Sequence, residues 1–198
     1  MRRALIVPAL AATLLLAGCG GDGDDDAGTS TSPSSSPSES SASPSASPSA
    51  SLEGAGFGPF TALPAGTRVS FLTDARVAAQ AGFDRVALQF DGAVPGYQIE
   101  YYDGPFINTA GQEVDVEGTA FIRVIMEPAS GVDLSIDPYV ETYEGPDRIS
   151  SDTVNVTEAV LVDDFEANMV WAIGVNKKQP MAVSTLESPN RLVIDVLQ

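Results

Sequence analysis

The chain has 198 residues, a formal net charge of −17, a single cysteine and no histidine. Those counts exclude an internal disulfide, Ser-His-Asp and Cys-His catalysis, and zinc centres built from histidine and cysteine. The acidic balance also excludes nucleic acid as a partner, because such binding depends on basic groups that are scarce here.

Arg2 and Arg3 precede an apolar run from Ala4 to Ala17 that Pro8 interrupts. This is the charged and then oily pattern of an export signal. The run is shorter than the roughly 20 apolar residues that a membrane-spanning helix needs. Leu16-Ala17-Gly18-Cys19 resembles a bacterial lipobox, with an aliphatic residue, two small residues and a cysteine. The resemblance implies that Cys19 receives a diacylglycerol and becomes the first residue of the mature protein, anchored to a membrane by lipid. At about 0.8 kcal/mol per buried methylene, two acyl chains hold where one lets go. An ordinary secretory signal that happens to contain a cysteine is the alternative.

From Gly20 to Glu53 the chain is Gly, Asp, Ser, Pro and Ala, with "SPSSSPSESSASPSASPSAS" at its centre. Such a composition has no apolar surface to offset chain entropy, so a disordered tether is expected. Proline-biased and stretched, it would reach on the order of 100 Å. "GAGFGPF" lacks the lysine and the flanking strand and helix of a phosphate loop, and reads as a hinge. The expected division is 1–18 signal peptide, 19–53 linker, 54–66 hinge and 67–198 folded domain.

Within the domain the hydrophobic pattern has period two. Val86, Leu88 and Phe90 alternate with Arg85, Gln89 and Asp91, and Tyr97, Ile99 and Tyr101 alternate with Gln98, Glu100 and Tyr102. Val114 and Val116 in "EVDVE" fit a further half-wet strand. "TAFIRVIM", apolar on both parities except at Arg123, reads as a central strand. "VTEAVLV", "NMVWAIGV", "MAVSTL" and "RLVIDV" add four strands, the last three joined by "NKKQP" and "ESPN" as if in hairpins. Only "ARVAAQAG" leaves room for a helical turn. Short strands punctuated by Gly, Pro, Asn and Asp predict an all-β fold, an antiparallel sandwich or barrel.

The segments "GFDRVALQFDG", "PGYQIEYYDGP", "FIRVIMEPASG", "YEGPDRI", "NMVWAIGV" and "LESPNRLVIDV", in that order, resemble the AMIN-like domain of actinobacterial lipoproteins. The resemblance covers most of the chain after the linker. It implies an AMIN-like β-sandwich and, more distantly, the AMIN modules that localise cell-wall amidases and pilus secretins through peptidoglycan. One departure is visible: members often carry a histidine shortly before the "GFDRV" segment, where this chain has Ala79-Gln80-Ala81.

Carboxylates are the remaining catalytic candidates. Asp163, Asp164 and Glu166 in "DDFE" fit acid/base work on a glycoside or a calcium site, but equally a solvated strand end. For glycan binding the candidates are Tyr101, Tyr102 and Asp103. Adjacent strand residues face opposite ways, so one ring should stand exposed beside a carboxylate and polar backbone. Trp171 shares the apolar parity of Met169 and Ile173 and is expected in the core. Arg85 and Arg191 fit surface or edge ion pairs, and Lys177 and Lys178 an exposed turn. No cofactor and no metal site are implied. The expected function is non-catalytic binding or scaffolding on the outer face of the cell membrane, with peptidoglycan or a cell-wall protein as partner. Capture of a solute or signal for a membrane partner is the alternative, and a carboxylate-dependent enzyme the third possibility.

Overall fold

A computed structural model describes residues 52–198. The expected signal peptide, Cys19 and the linker as far as Ser51 lie outside the described residues. Thirteen strands and no helix make up the described part. β1 (Phe60–Ala62), β4 (Gly96–Tyr101), β5 (Ala120–Glu127), β11 (Asn168–Val175), β10 (Val156–Phe165) and β9 (Arg148–Ser150) form one antiparallel sheet, in that spatial order. β12 (Met181–Leu186), β13 (Asn190–Leu197), β3 (Phe83–Asp91), β2 (Ser70–Gln80) and β6 (Ala129–Ser130) form the second. In that sheet β2 and β6 run parallel and every other pair is antiparallel. β7 (Val132–Asp133) and β8 (Val140–Glu141) make a small separate ladder.

The core lies between the two large sheets, as expected of a sandwich whose strands alternate in polarity. Leu72, Val86, Leu88, Leu192 and Ile194 from one sheet meet Ile99, Ile122, Val124, Met169, Trp171 and Ile173 from the other. "TAFIRVIM" is central, as β5 between β4 and β11. Its second face is covered by the 102–119 segment, through a smaller cluster in which Phe106, Val114 and Val116 pack on Phe121, Val162, Val170 and Ala172.

Three expectations need correction. "ARVAAQAG" is not helical: Ala75 to Gln80 belong to the eleven-residue β2, and Ala81-Gly82 make the turn after it. A register shift between Leu72 and Asp74 moves the buried positions from Ser70 and Leu72 to Ala75, so no single parity marks the strand. "EVDVE" is not a strand: its valines point into the small cluster, but only Glu113 pairs, across an isolated bridge to Ile107. β11 and β12 are not a hairpin, because "NKKQP" crosses from one sheet to the other. Within 54–66, expected as a hinge, four residues are paired: Gly56 exchanges backbone hydrogen bonds with Met181 at 2.9 and 2.8 Å, and Phe60–Ala62 add as β1 to the edge of β4.

The registers define two ends. Gly56, Tyr101, Val175, Met181 and Leu197 lie at the proximal end, where the described chain begins. Ser70, Gly96, Phe165, Asn168 and Leu186 lie at the distal end.

Candidate functional site

β4 stops at Tyr101, and its last ring turns toward the core. The Tyr101 hydroxyl donates to the carbonyl of Gln179 at 2.6 Å and accepts from the Gln179 N–H at 3.1 Å. The Lys178 ammonium lies 4.7 Å from the ring centroid, and the Phe57 ring packs at 6.2 Å. Burial pushes the Tyr101 hydroxyl above its ordinary pKa, although the Gln179 backbone hydrogen bond acts the other way. Tyr102 turns to the outer face of the six-stranded sheet. There the Arg123 guanidinium lies 4.1 Å from its centroid and Phe106 packs at 5.2 Å. Asp103 is exposed beside it. The structure therefore separates Tyr101 from Tyr102 and Asp103. Neither ring stands fully in solvent: Tyr101 plugs the proximal end, while Tyr102 is half covered and flanked by a cation.

A tetrapeptide repeat explains the posture of Tyr102. Tyr102-Asp103-Gly104-Pro105 and Tyr143-Glu144-Gly145-Pro146 share the pattern Tyr, acid, Gly, Pro. In both, the tyrosine folds back over the glycine and donates its hydroxyl to the proline carbonyl, at 3.3 and 2.8 Å. A Cβ on Gly104 would lie 2.5 Å from Tyr102 Oη, and one on Gly145 2.6 Å from Tyr143 Oη. Only glycine allows the ring to close. Tyr143 packs edge-on against Trp171 at 5.9 Å, and Trp171 is buried as its parity predicts. Burial, with the Asp147 and Asp74 carboxylates behind it, pushes the Tyr143 hydroxyl up to about 12.

The carboxylates of "DDFE" do not converge. Cross-strand partners in an antiparallel ladder share a face. Asp163 pairs with Val170 on the outer side of β10, and Asp164 with Met169 on the core side. Asp163 accepts hydrogen bonds from the N–H of Thr109, at 3.2 Å, and from its hydroxyl. Asp164 is not the solvated charge that its place at a strand end predicts. It is half-buried, and one oxygen accepts from the Gly131 N–H at 2.7 Å and the Ser130 hydroxyl at 3.2 Å. Burial raises its pKa; those two hydrogen bonds work against that, and the neighbouring Asp163 charge adds to it. Glu166 is exposed in the turn. Among the described residues no three His, Cys, Asp or Glu groups stand where they could share a metal ion.

The remaining charged candidates are structural. Arg85 grips Asp195 with two hydrogen bonds of 2.7 and 2.8 Å across β3 and β13. Arg191 donates to the Pro189 carbonyl at 3.3 Å. Lys177 and Lys178 lie in the exposed crossover. Unforeseen in the sequence is buried Glu158, which accepts from Arg148 and, at 2.6 Å, from the N–H of Glu117, fastening the 102–119 segment to β10.

Compared with known protein families, residues 70–198 match the AMIN-like domain. No curated protein and no solved structure matches the chain.

Proposed function

The chain belongs to the AMIN-like domain family, and on that premise we propose that it is a lipid-anchored, extracytoplasmic module that binds peptidoglycan or a wall-associated protein without catalysis. The family match carries the reading, since it spans the sandwich from the first residue of β2 to Gln198. The lipobox-like Leu16–Cys19 supports attachment to the outer face of the membrane, and the Ser/Pro-rich linker supports a tether between lipid and domain. The chemistry of the chain agrees with binding rather than turnover. There is no histidine, and the paired carboxylates that acid/base cleavage of a glycoside needs face opposite sides of β10. Glycan contact falls to Tyr102 and Asp103, because Tyr101 is committed to Gln179.

Sedimentation with purified, protein-free sacculi tests this. Wall binding carries the protein into the pellet; a solute-capturing lipoprotein stays in the supernatant. Turnover of a wall substrate that disappears in Asp163→Asn or Glu166→Gln would establish an enzyme instead.

A further inference from the structure

β2 has a strand on only one side for most of its length. β3 pairs with it from Phe71 to Gln80, whereas β6 covers its other side at Ser70 and Phe71 alone. From Leu72 to Gln80 that second side has no strand partner among the described residues. Such an edge is a template for another chain. The other edge strands offer less. β1, β6 and β9 have three residues or fewer. β12 has Gly56 bonded to Met181 at one end, and at the other Leu63 and Ala65 share a cavity with its Thr185 and Leu186.

The β2–β3 hairpin shows which backbone groups are free. Ala81 and Gly82 are a two-residue loop, so Gln80 and Phe83 are the pair that exchanges hydrogen bonds across it. Bonded and non-bonded pairs alternate from there. Ala78 and Arg76 thus give their N–H and C=O groups to β3, while those of Ala79 and Val77 point to the open side. The far side of β3 agrees: by the same alternation Leu197, opposite Phe83, must bond away from β3, and its N–H goes to Pro180 at 3.1 Å. Arg76, Ala78, Ala79 and Gln80 are exposed and Val77 is half-buried. The stretch has no proline and no lysine to blunt the edge, and the bulge of β2 lies earlier, between Leu72 and Asp74.

The occupant must be an extended strand with free amides. The linker is a poor donor, because Pro33, Pro37, Pro44 and Pro48 lack the N–H and the stretch before them is rich in Gly and Asp. A second copy of β2 fits. Antiparallel to itself about a twofold axis through Ala78, it sets Val77 of each copy against Ala79 of the other, so the outward groups of both residues find partners. Ala78 then faces its own copy, where a methyl group suits the close approach, and Arg76 faces Gln80. An axis through Arg76 would oppose two guanidiniums. One through Val77 would need the amides of Ala75, which is buried.

The axis through Ala78 lies two residues from the end of β2, at the proximal end where the described chain begins. Both copies therefore begin at the waist of the pair, and neither linker has to run the length of a domain to reach it.

We propose that the chain pairs with a second copy of itself along Arg76–Gln80, joining two five-stranded sheets into one. The ladder is small beside the roughly 1,200 Å² of a stable interface, so association is weak and grows with local concentration. It is independent of the wall-binding reading above.

Cysteine cross-linking tests the pairing in the chain from Gly20 to Gln198, which holds no other thiol. At a pair without hydrogen bonds the α-carbons stand about 4.5 Å apart, within the roughly 4.4–6.8 Å that a disulfide spans. Under mild oxidation Ala78→Cys should form a covalent dimer about tenfold faster than Gln80→Cys, whose counterpart in the second copy is about 14 Å away. Arg76→Cys mixed with Gln80→Cys should link one to the other at the Ala78→Cys rate. Equal rates for Ala78→Cys and Gln80→Cys, or no linking in the mixture, overturn the pairing and leave the edge to a different chain. Ala79→Pro removes an outward N–H and no bond to β3, so added to Ala78→Cys it should bring the rate down to that of Gln80→Cys. A folded variant that still links at the full rate overturns the ladder. If Ala79→Pro does not fold, the first comparison decides alone.

Discussion

The carboxylate of Asp84, in one sheet, accepts a hydrogen bond of 2.9 Å from the backbone N–H of Val156, in the other. The N–H of Asn155 and the side chain of the C-terminal Gln198 donate to the same carboxylate. Asp84 is wholly buried near the proximal end of β3, so it is a polar bolt between the two sheets there.

Asp84→Ala should lower stability by about 3 kcal/mol, because it leaves buried backbone donors without an acceptor. The urea midpoint measures this. Burial acts to raise the Asp84 pKa, but hydrogen bonds from Gln198, Asn155, Val156 and Thr153 outweigh it and hold the group below its ordinary 3.8. For a carboxylate depressed in the folded state, the stabilisation is fully present above the unfolded value and is lost as pH falls through the folded one. The urea midpoint of the wild type should therefore drop as pH falls below about 4, and Asp84→Ala should show a shallower drop over the same window.

Replacing Glu166-Ala167 by Asn-Gly should raise stability by about 1–3 kcal/mol, by relieving two left-handed residues at a two-residue turn. Thermal melting of the double variant checks the sign. A lower melting temperature would mean that Glu166 or Ala167 contributes contacts that outweigh its backbone strain.

Gly145→Ala should destabilise by about 2 kcal/mol or more, because the new methyl group meets the Tyr143 ring that packs on Trp171. In the companion turn, Tyr102→Ala should keep the fold by circular dichroism and weaken sacculus sedimentation severalfold. Tyr101→Ala should instead lower the melting temperature, since it removes a core plug and both hydrogen bonds to Gln179.

A chain beginning at Gly54 should melt with the full-length protein, because the 19–53 segment has almost no apolar residues to contribute. One beginning at Thr67 should be less stable by about 2–4 kcal/mol. It lacks β1, the Gly56 bridge to Met181 and the packing of Phe60 on the core. Comparison of the two denaturation curves locates the working boundary of the domain.

Cys19→Ser should move the protein from the membrane pellet to the soluble fraction. Intact mass of the wild type should show a diacylglycerol that the variant lacks. A wild type without lipid mass would remove the anchor from the proposed function.

β3, β5, β11 and β13 are legible from sequence because each keeps one parity buried from end to end, as Val86, Leu88 and Phe90 do. β2 is not, because its bulge exchanges the faces midway. The inward carboxylates leave no such trace. Asp84 and Asp164 look like ordinary polar residues at strand ends, and only the stacking of the two sheets turns the first into a bolt and the second into a half-buried acceptor for Gly131 and Ser130. The folded-back tyrosines left a readable trace, since the repeated Tyr-acid-Gly-Pro pattern is plain in the sequence. Strand alternation puts Tyr101 and Tyr102 on opposite faces, as found, but the cations over their rings come from residues 21 or more positions away in the chain.

Entry of the described chain at the proximal end also fixes the mechanics of the module. A pull between Leu52 and a load held at the distal end runs parallel to the strands. Each ladder then resists in shear, many hydrogen bonds at once, rather than opening like a zipper. The weakest links on that line are the first it reaches, the Gly56 bridge to Met181 and then β1, whose three residue pairs join it to the rim of β4. Under tension these would slip first and release extra length, while the two sheets behind them stayed closed.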